Sequence, residues 1–182
     1  QIMLNSTSET FPTGLANHSG ALGKHLMDHL ESPPIVGIFL DDMDRYYFGT
    51  RPNGSYIPRF RNLGGQDEDA DFLRGYGFQA NVLRMDWKML YNRKGFGASL
   101  KDTLRKPGMW IWALKGFGEC LPRSDNQIVL ARDKPDRFGI PQVSIEFAWG
   151  ANEHAMWQDI NRHATRIMKA AGAVFYQGMV DK

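Results

Sequence analysis

The stretch MWIWALKGFG, residues 109–118, decides the fold class. It is apolar at successive positions, so the strand it predicts is buried on both faces and lies inside a sheet. Other strands are read outward from it. Upstream, residues 71–79, DFLRGYGFQ, put Phe72, Arg74, Tyr76 and Phe78 on one face. Leu73, Gly75, Gly77 and Gln79 fall on the other. Two glycines on one face let another chain segment or a ligand come close to the backbone. Further upstream, residues 35–40 predict a second strand apolar on both faces. Residues 46–48 and 55–61 predict short strands joined at Arg51-Pro52-Asn53-Gly54, where Asn-Gly favours a hairpin. Downstream, residues 126–131 and 142–148 add two strands, linked through Asp136-Arg137-Phe138-Gly139-Ile140-Pro141.

Helices are fewer. Leu22, Leu26 and Leu30 recur every four residues and predict a short helix over 20–30, ended by Pro33-Pro34. Residues 97–105 predict another, stopped at Pro107. The clearest runs over 152–171, capped by Asn152 and stopped by Gly172, with Met156, Ile160, Ala164, Ile167 and Ala171 on one face. Strands linked at hairpin length and a late long helix predict an α+β fold. Its sheet is mainly antiparallel, with about six strands, one long C-terminal helix and short helices.

Composition narrows the function classes. The chain has 182 residues, 42% of them apolar and 12% aromatic, which supports a real core. Lys plus Arg number 22 and Asp plus Glu 20, with no clustered basic excess, so no nucleic-acid partner is expected. No apolar run approaches the 18 residues of a membrane span, and Gln1-Ile2-Met3-Leu4 shows no secretory signal. A soluble chain with no membrane partner is expected; the compartment stays open. One cysteine, Cys120, excludes an internal disulfide and a multi-cysteine metal site. Asn-x-Ser/Thr triplets begin at Asn5, Asn17 and Asn53, a frequent chance pattern. The chain opens without Met, and its tail from Val174 to Lys182 is apolar enough to belong to a structure that continues, so it reads as a piece of a longer protein, the alternative being a complete small domain with processed ends.

Candidate sites each have a plainer reading. The pairs Gly75/Gly77, Gly95/Gly97 and Gly116/Gly118 complete no dinucleotide fingerprint. His25 and His29 would share a helix face, but no third metal ligand is evident. Glu119 and Glu146 could act as general acids or bases, or could be solvated and structural. Cys120 lacks a local histidine partner for nucleophilic work. Arg59, Arg61, Arg74, Tyr76 and Gln79 could hydrogen-bond a polyhydroxylated ligand, with Phe60 and Phe78 as an apolar wall. The alternative is a sheet face whose arginines reach solvent or a neighbouring domain.

Three stretches together resemble the glucose–methanol–choline family of flavin oxidoreductases. In residues 17–29, NHSGALGKHLMDH, the matching positions are Gly23, Leu26, Asp28 and His29. In residues 118–147 they are Glu119, Pro122, Asn126, Val129, Leu130, Asp136, Gly139 and Pro141. YIPRFRNL at 56–63 with FLRGYGFQ at 72–79 is similar to the sugar-oxidising, pyranose-oxidase-like branch. Residues 1–6 resemble the tail of a helix of the flavin domain.

The resemblance implies oxidation of an alcohol to a carbonyl, with hydride passing to FAD. It implies that 1–30 is the tail of an FAD-binding domain with its connecting segment, and 31–182 a substrate-binding domain. Cofactor contact then falls on Asn17, Gly23 and His29. The family's glycine fingerprint lies before this segment and its histidine pair after it. No catalytic residue is therefore assigned to this chain, and no metal. Alone it should neither hold FAD well nor turn over. The implied partners are a sugar or polyol substrate and the remaining FAD-binding domain of the same protein. Arg74, Tyr76 and Gln79 are the candidates for the substrate wall, chosen by residue type and strand position. A free-standing carbohydrate-binding sheet domain without catalysis is the alternative, and a structural subunit a third.

Overall fold

The apolar stretch 109–118 forms a strand, Trp110–Glu119, in the middle of a six-stranded sheet. The computed structural model describes residues 1–41, 43, 54–90, 94–106 and 108–177. In chain order the elements are α1 (Ile2–Asn5), β1 (His29–Glu31), β2 (Ile35–Phe39), β3 (Gly54–Ile57), β4 (Tyr76–Arg84) and α2 (Trp87–Leu90). They continue with α3 (Gly97–Arg105), β5 (Trp110–Glu119), β6 (Gln127–Pro135), β7 (Pro141–Glu146), α4 (Ala151–Ala170) and β8 (Phe175–Gln177). The expected strand at 46–48, the Arg51-Pro52-Asn53 part of its turn and Pro107 lie outside the described residues.

The fold is α+β with antiparallel sheets and one long C-terminal helix. The large sheet runs β3-β4-β5-β2-β8, with β1 also paired to β5. β6 and β7 pair with each other in a second, two-stranded sheet. The chain forms two compact units, Gln1–His29 with Glu119–His154, and Leu30–Gly118 with Ala155–Lys182.

In the first unit, the helix expected over 20–30 does not form. Gly20, Gly23 and His25 have φ of 69°, 80° and 59°, which no right-handed helix allows. The segment instead runs beside β6, where Ile128 N–H donates to the Gly23 carbonyl at 2.6 Å and Leu26 N–H to the Asn126 carbonyl at 2.9 Å. The β6–β7 turn is held by the Asp136 carboxylate, which accepts the N–H of Phe138 at 2.9 Å and of Ile140 at 3.0 Å. Glu153 reaches back to the N–H of Gly150 at 2.7 Å and takes the N–H of Leu121 at 2.8 Å. The start of α4 is thus capped by Glu153, while Asn152 sits inside the helix. Burial alone would raise the Glu153 pKa, but these N–H bonds hold it below the ordinary value.

In the second unit, α4 lies on one face of the large sheet. Met156, Ile160, Ala164 and Met168 are fully buried at four-residue spacing. Beneath them the sheet is thinned by glycine. A Cβ on Gly116 would sit 2.5 Å from Ile160 Cγ2, and one on Gly37 2.5 Å from Met168 Sδ. Gly118 meets Met156 in the same way. The Gly116/Gly118 pair therefore serves helix packing. Tyr76, Phe78 and Leu114 are buried on the same face. β4 begins later than expected because Arg74 has a φ of 71°. Asn62 Nδ2 fixes this bend by donating to the carbonyls of Phe72 at 3.0 Å and Arg74 at 2.8 Å.

Candidate functional site

The two faces of the large sheet carry different chemistry, and alternation assigns each side chain. Residues 76, 78 and 80 of β4 pair with 118, 116 and 114 of β5 on the helix face. Gln79 pairs with Lys115, and Asn81 with Ala113, on the face away from α4. Across the next ladder, Tyr56 of β3 pairs with Gln79, and Gly54 with Asn81. One cross-strand row therefore reads Tyr56, Gln79, Lys115. Glu31, at the end of β1, extends the row by an ion pair to Lys115.

The row lines an open groove of 630 Å³. Its walls include Pro34, Ser55, Tyr56, Gln79, Asn81 and Lys115. Tyr56 is 65% exposed and leans over Gly77, where a Cβ would stand 2.9 Å from the Tyr56 hydroxyl. Lys115 also lies 5.5 Å from the centre of the Phe117 ring. An aromatic ring, an amide pair and one amine at the edge of a groove can stack on and hydrogen-bond a hydroxyl-rich ligand.

On the helix face lies a buried polar cluster. Asp159 of α4 accepts from the Tyr76 hydroxyl at 2.7 Å and from Arg61 Nε at 2.9 Å. It also pairs with Arg162, while His163 Nδ1 lies 3.2 Å from the Tyr76 hydroxyl. Arg61 reaches Asp67 and Asp69, each at 2.9 Å, and so ties the 58–75 segment to the helix. Burial would raise the Asp159 pKa, but the Tyr76 hydroxyl and the neighbouring cations hold it below the ordinary carboxylate range. Burial and the Asp159 charge push the Tyr76 phenol well above its usual value. Phe60 packs edge-on against Tyr76 and His163. This cluster is satisfied from within the fold.

The residues singled out from sequence are thus separated. Gln79 lines the groove, whereas Tyr76 is 1% exposed on the opposite face. Arg74 is exposed at the bend before β4 and does not share a wall with either. Arg61 and Phe78 are buried on the helix side, and Arg59 bonds to the carbonyls of Arg61 and Asn62. Tyr56, Lys115 and Glu31 are not among the candidate site residues that the sequence offers. The one signal for them was a lysine inside an otherwise apolar strand.

In the first unit, Asn17 and Gly23 belong to the segment that packs along β6. Asn17 Oδ1 accepts the N–H of Leu22 at 3.0 Å, and its amide donates to Thr13 Oγ1 at 3.1 Å. A Cβ at Gly23 would lie 2.5 Å from the Ile128 carbonyl oxygen, so the space there is filled by backbone. His29 is exposed at the head of β1. His25 and His29 share no helix, and no cluster of three metal-ligating side chains occurs among the described residues. Glu119 is exposed, and Glu146 accepts from Gln127 Nε2 at 2.7 Å. Cys120 is buried, and burial raises its thiol pKa. No helix among the described residues is long and apolar enough to cross a membrane.

No family model matches the chain. Two curated proteins do resemble it. The fructose dehydrogenase large subunit of Gluconobacter japonicus is 28% identical over 151 residues, 82% of this chain and 27% of that protein. The 2-methyl-1,2-propanediol dehydrogenase of Mycolicibacterium austroafricanum is 27% identical over 180 residues, 96% of this chain and 31% of that protein. Both relatives are named as dehydrogenases, and the chain spans less than a third of the length of either.

Proposed function

We propose that this chain is the substrate-binding portion of an FAD-dependent oxidoreductase that oxidises an alcohol group of a sugar or other polyol. The observation that carries the reading is the likeness, over most of the chain, to two dehydrogenases whose names specify a sugar and a diol. It agrees with the resemblance to glucose–methanol–choline oxidoreductases in residues 17–29 and 118–147. When bound, FAD accepts the hydride from the carbinol carbon.

The chain's own residues supply the wall that holds the substrate. The groove over β3, β4 and β5 offers Gln79 and Asn81 as paired donors and acceptors, with Tyr56 as a stacking surface. Tyr76 supports this wall from behind through Asp159, and Arg74 turns the chain into β4. The side chain of Asn17 and the space at Gly23 are already used within the fold, so these two shape the 17–29 segment. His29 is the position in that segment open to a cofactor. These three residues make no cradle for a dinucleotide. In this reading FAD is held by the rest of the protein, and the proton acceptor for the alcohol is also supplied there. This chain alone is then inactive.

The test uses the full-length protein. A flavin spectrum, together with turnover on a panel that includes fructose, sorbitol and 1,2-propanediol, supports the proposal. A full-length protein that binds fructose or sorbitol without flavin would overturn it in favour of a carbohydrate-binding domain with no chemistry.

A further inference from the structure

Among the described residues that line the groove, Lys115 brings the only full charge. That charge is balanced from outside the lining, because Glu31 pairs with its ammonium group. Both side chains remain partly exposed, 39% for Lys115 and 45% for Glu31, so the pair stands at the groove's edge. The amine of Lys115 retains donors beyond the one that faces Glu31. Across the row stand the neutral groups of Gln79, Asn81 and Tyr56.

We infer that the Glu31–Lys115 pair sets the charge class of the ligand, making the groove selective for uncharged polyols over hydroxy acids. The inference rests on the polyol reading above and deepens it. A neutral hydroxyl can accept from Lys115 without disturbing the pair. A carboxylate would bring a second anion close to Glu31 and would compete with it for the same amine. Removing the Glu31 charge leaves Lys115 uncompensated and reverses the preference, because a hydrogen bond between ions is the stronger kind. Glu31 is in this sense a positioning residue, acting on the ligand through Lys115.

The experiment is calorimetric titration of the full-length protein with sorbitol and with gluconate, which share a carbon chain and differ by one carboxylate. The unaltered protein should bind sorbitol more tightly than gluconate. Glu31→Gln should tighten gluconate about tenfold and change sorbitol by less than about twofold. Lys115→Met in the Glu31→Gln background should abolish the gain. A purely structural role for Glu31 would weaken both ligands together, and that result overturns the inference. Equal gluconate affinity in the unaltered and Glu31→Gln proteins also overturns it, as does binding of neither ligand by the unaltered protein. Because binding is read without flavin, failure of the oxidoreductase reading is seen separately: sorbitol selectivity in a protein lacking flavin would leave this inference standing.

Discussion

The two faces of the large sheet are made from the same strands and do opposite work. On the helix face, glycines at 37, 116 and 118 admit α4, whose Met156, Ile160, Ala164 and Met168 are fully buried. On the other face, one residue along each strand, Tyr56, Gln79 and Lys115 stand beside an open groove. Strand alternation alone separates a rigid support from a surface free to meet a ligand. Each face should answer differently to substitution: changes behind the sheet should cost stability, and changes on the groove should cost binding.

The largest effect is expected at Asp159. Asp159→Ala removes the acceptor for Tyr76 and Arg61 and leaves a buried guanidinium short of a partner. Loss of about 3–5 kcal/mol is expected, read by denaturant unfolding of the full-length protein. Next is Gly116→Val, whose side chain would meet Ile160, where even a single added Cβ would stand at 2.5 Å. That overpacking should cost about 1–3 kcal/mol. An unchanged unfolding midpoint in either variant would break the contrast between the faces.

The third prediction concerns pH. The folded Asp159 titrates below its ordinary value, so its contribution is fully present above the unfolded pKa of about 4. It is lost as pH falls from there through the lower folded value. Asp159→Asn should therefore flatten the stability profile below about pH 4 while lowering stability at neutral pH. Parallel profiles for the two proteins would place the acid sensitivity elsewhere. The smallest stability change is expected on the groove. Gln79→Ala should leave unfolding within about 0.5 kcal/mol of the unaltered protein. Its sorbitol affinity should nevertheless fall up to about tenfold.

The same contrast explains what sequence could tell. β5 and α4 were legible because their signals are local: apolar residues at successive positions in one, and steps of three and four in the other. The helix over 20–30 had the right leucine spacing but failed because its glycines and His25 turn into the left-handed region. Met168 completes the buried stripe of α4 in place of Ile167, a shift of one residue that periodicity does not resolve. Tyr76 and Gln79 both stand out by residue type, yet they belong to opposite faces, as their odd spacing requires. The pairs that give each face its chemistry were invisible. Arg61 meets Asp159, 98 residues away, and Lys115 meets a glutamate on another strand. Long-range ion pairs leave no local pattern.

The most direct test of the account is the visible spectrum of the full-length protein, recorded without oxygen before and after addition of fructose, sorbitol or 1,2-propanediol. The account predicts flavin bands that bleach when a polyol is added, as hydride reaches the cofactor. A protein without flavin bands, or with bands that none of these polyols reduces, would contradict it.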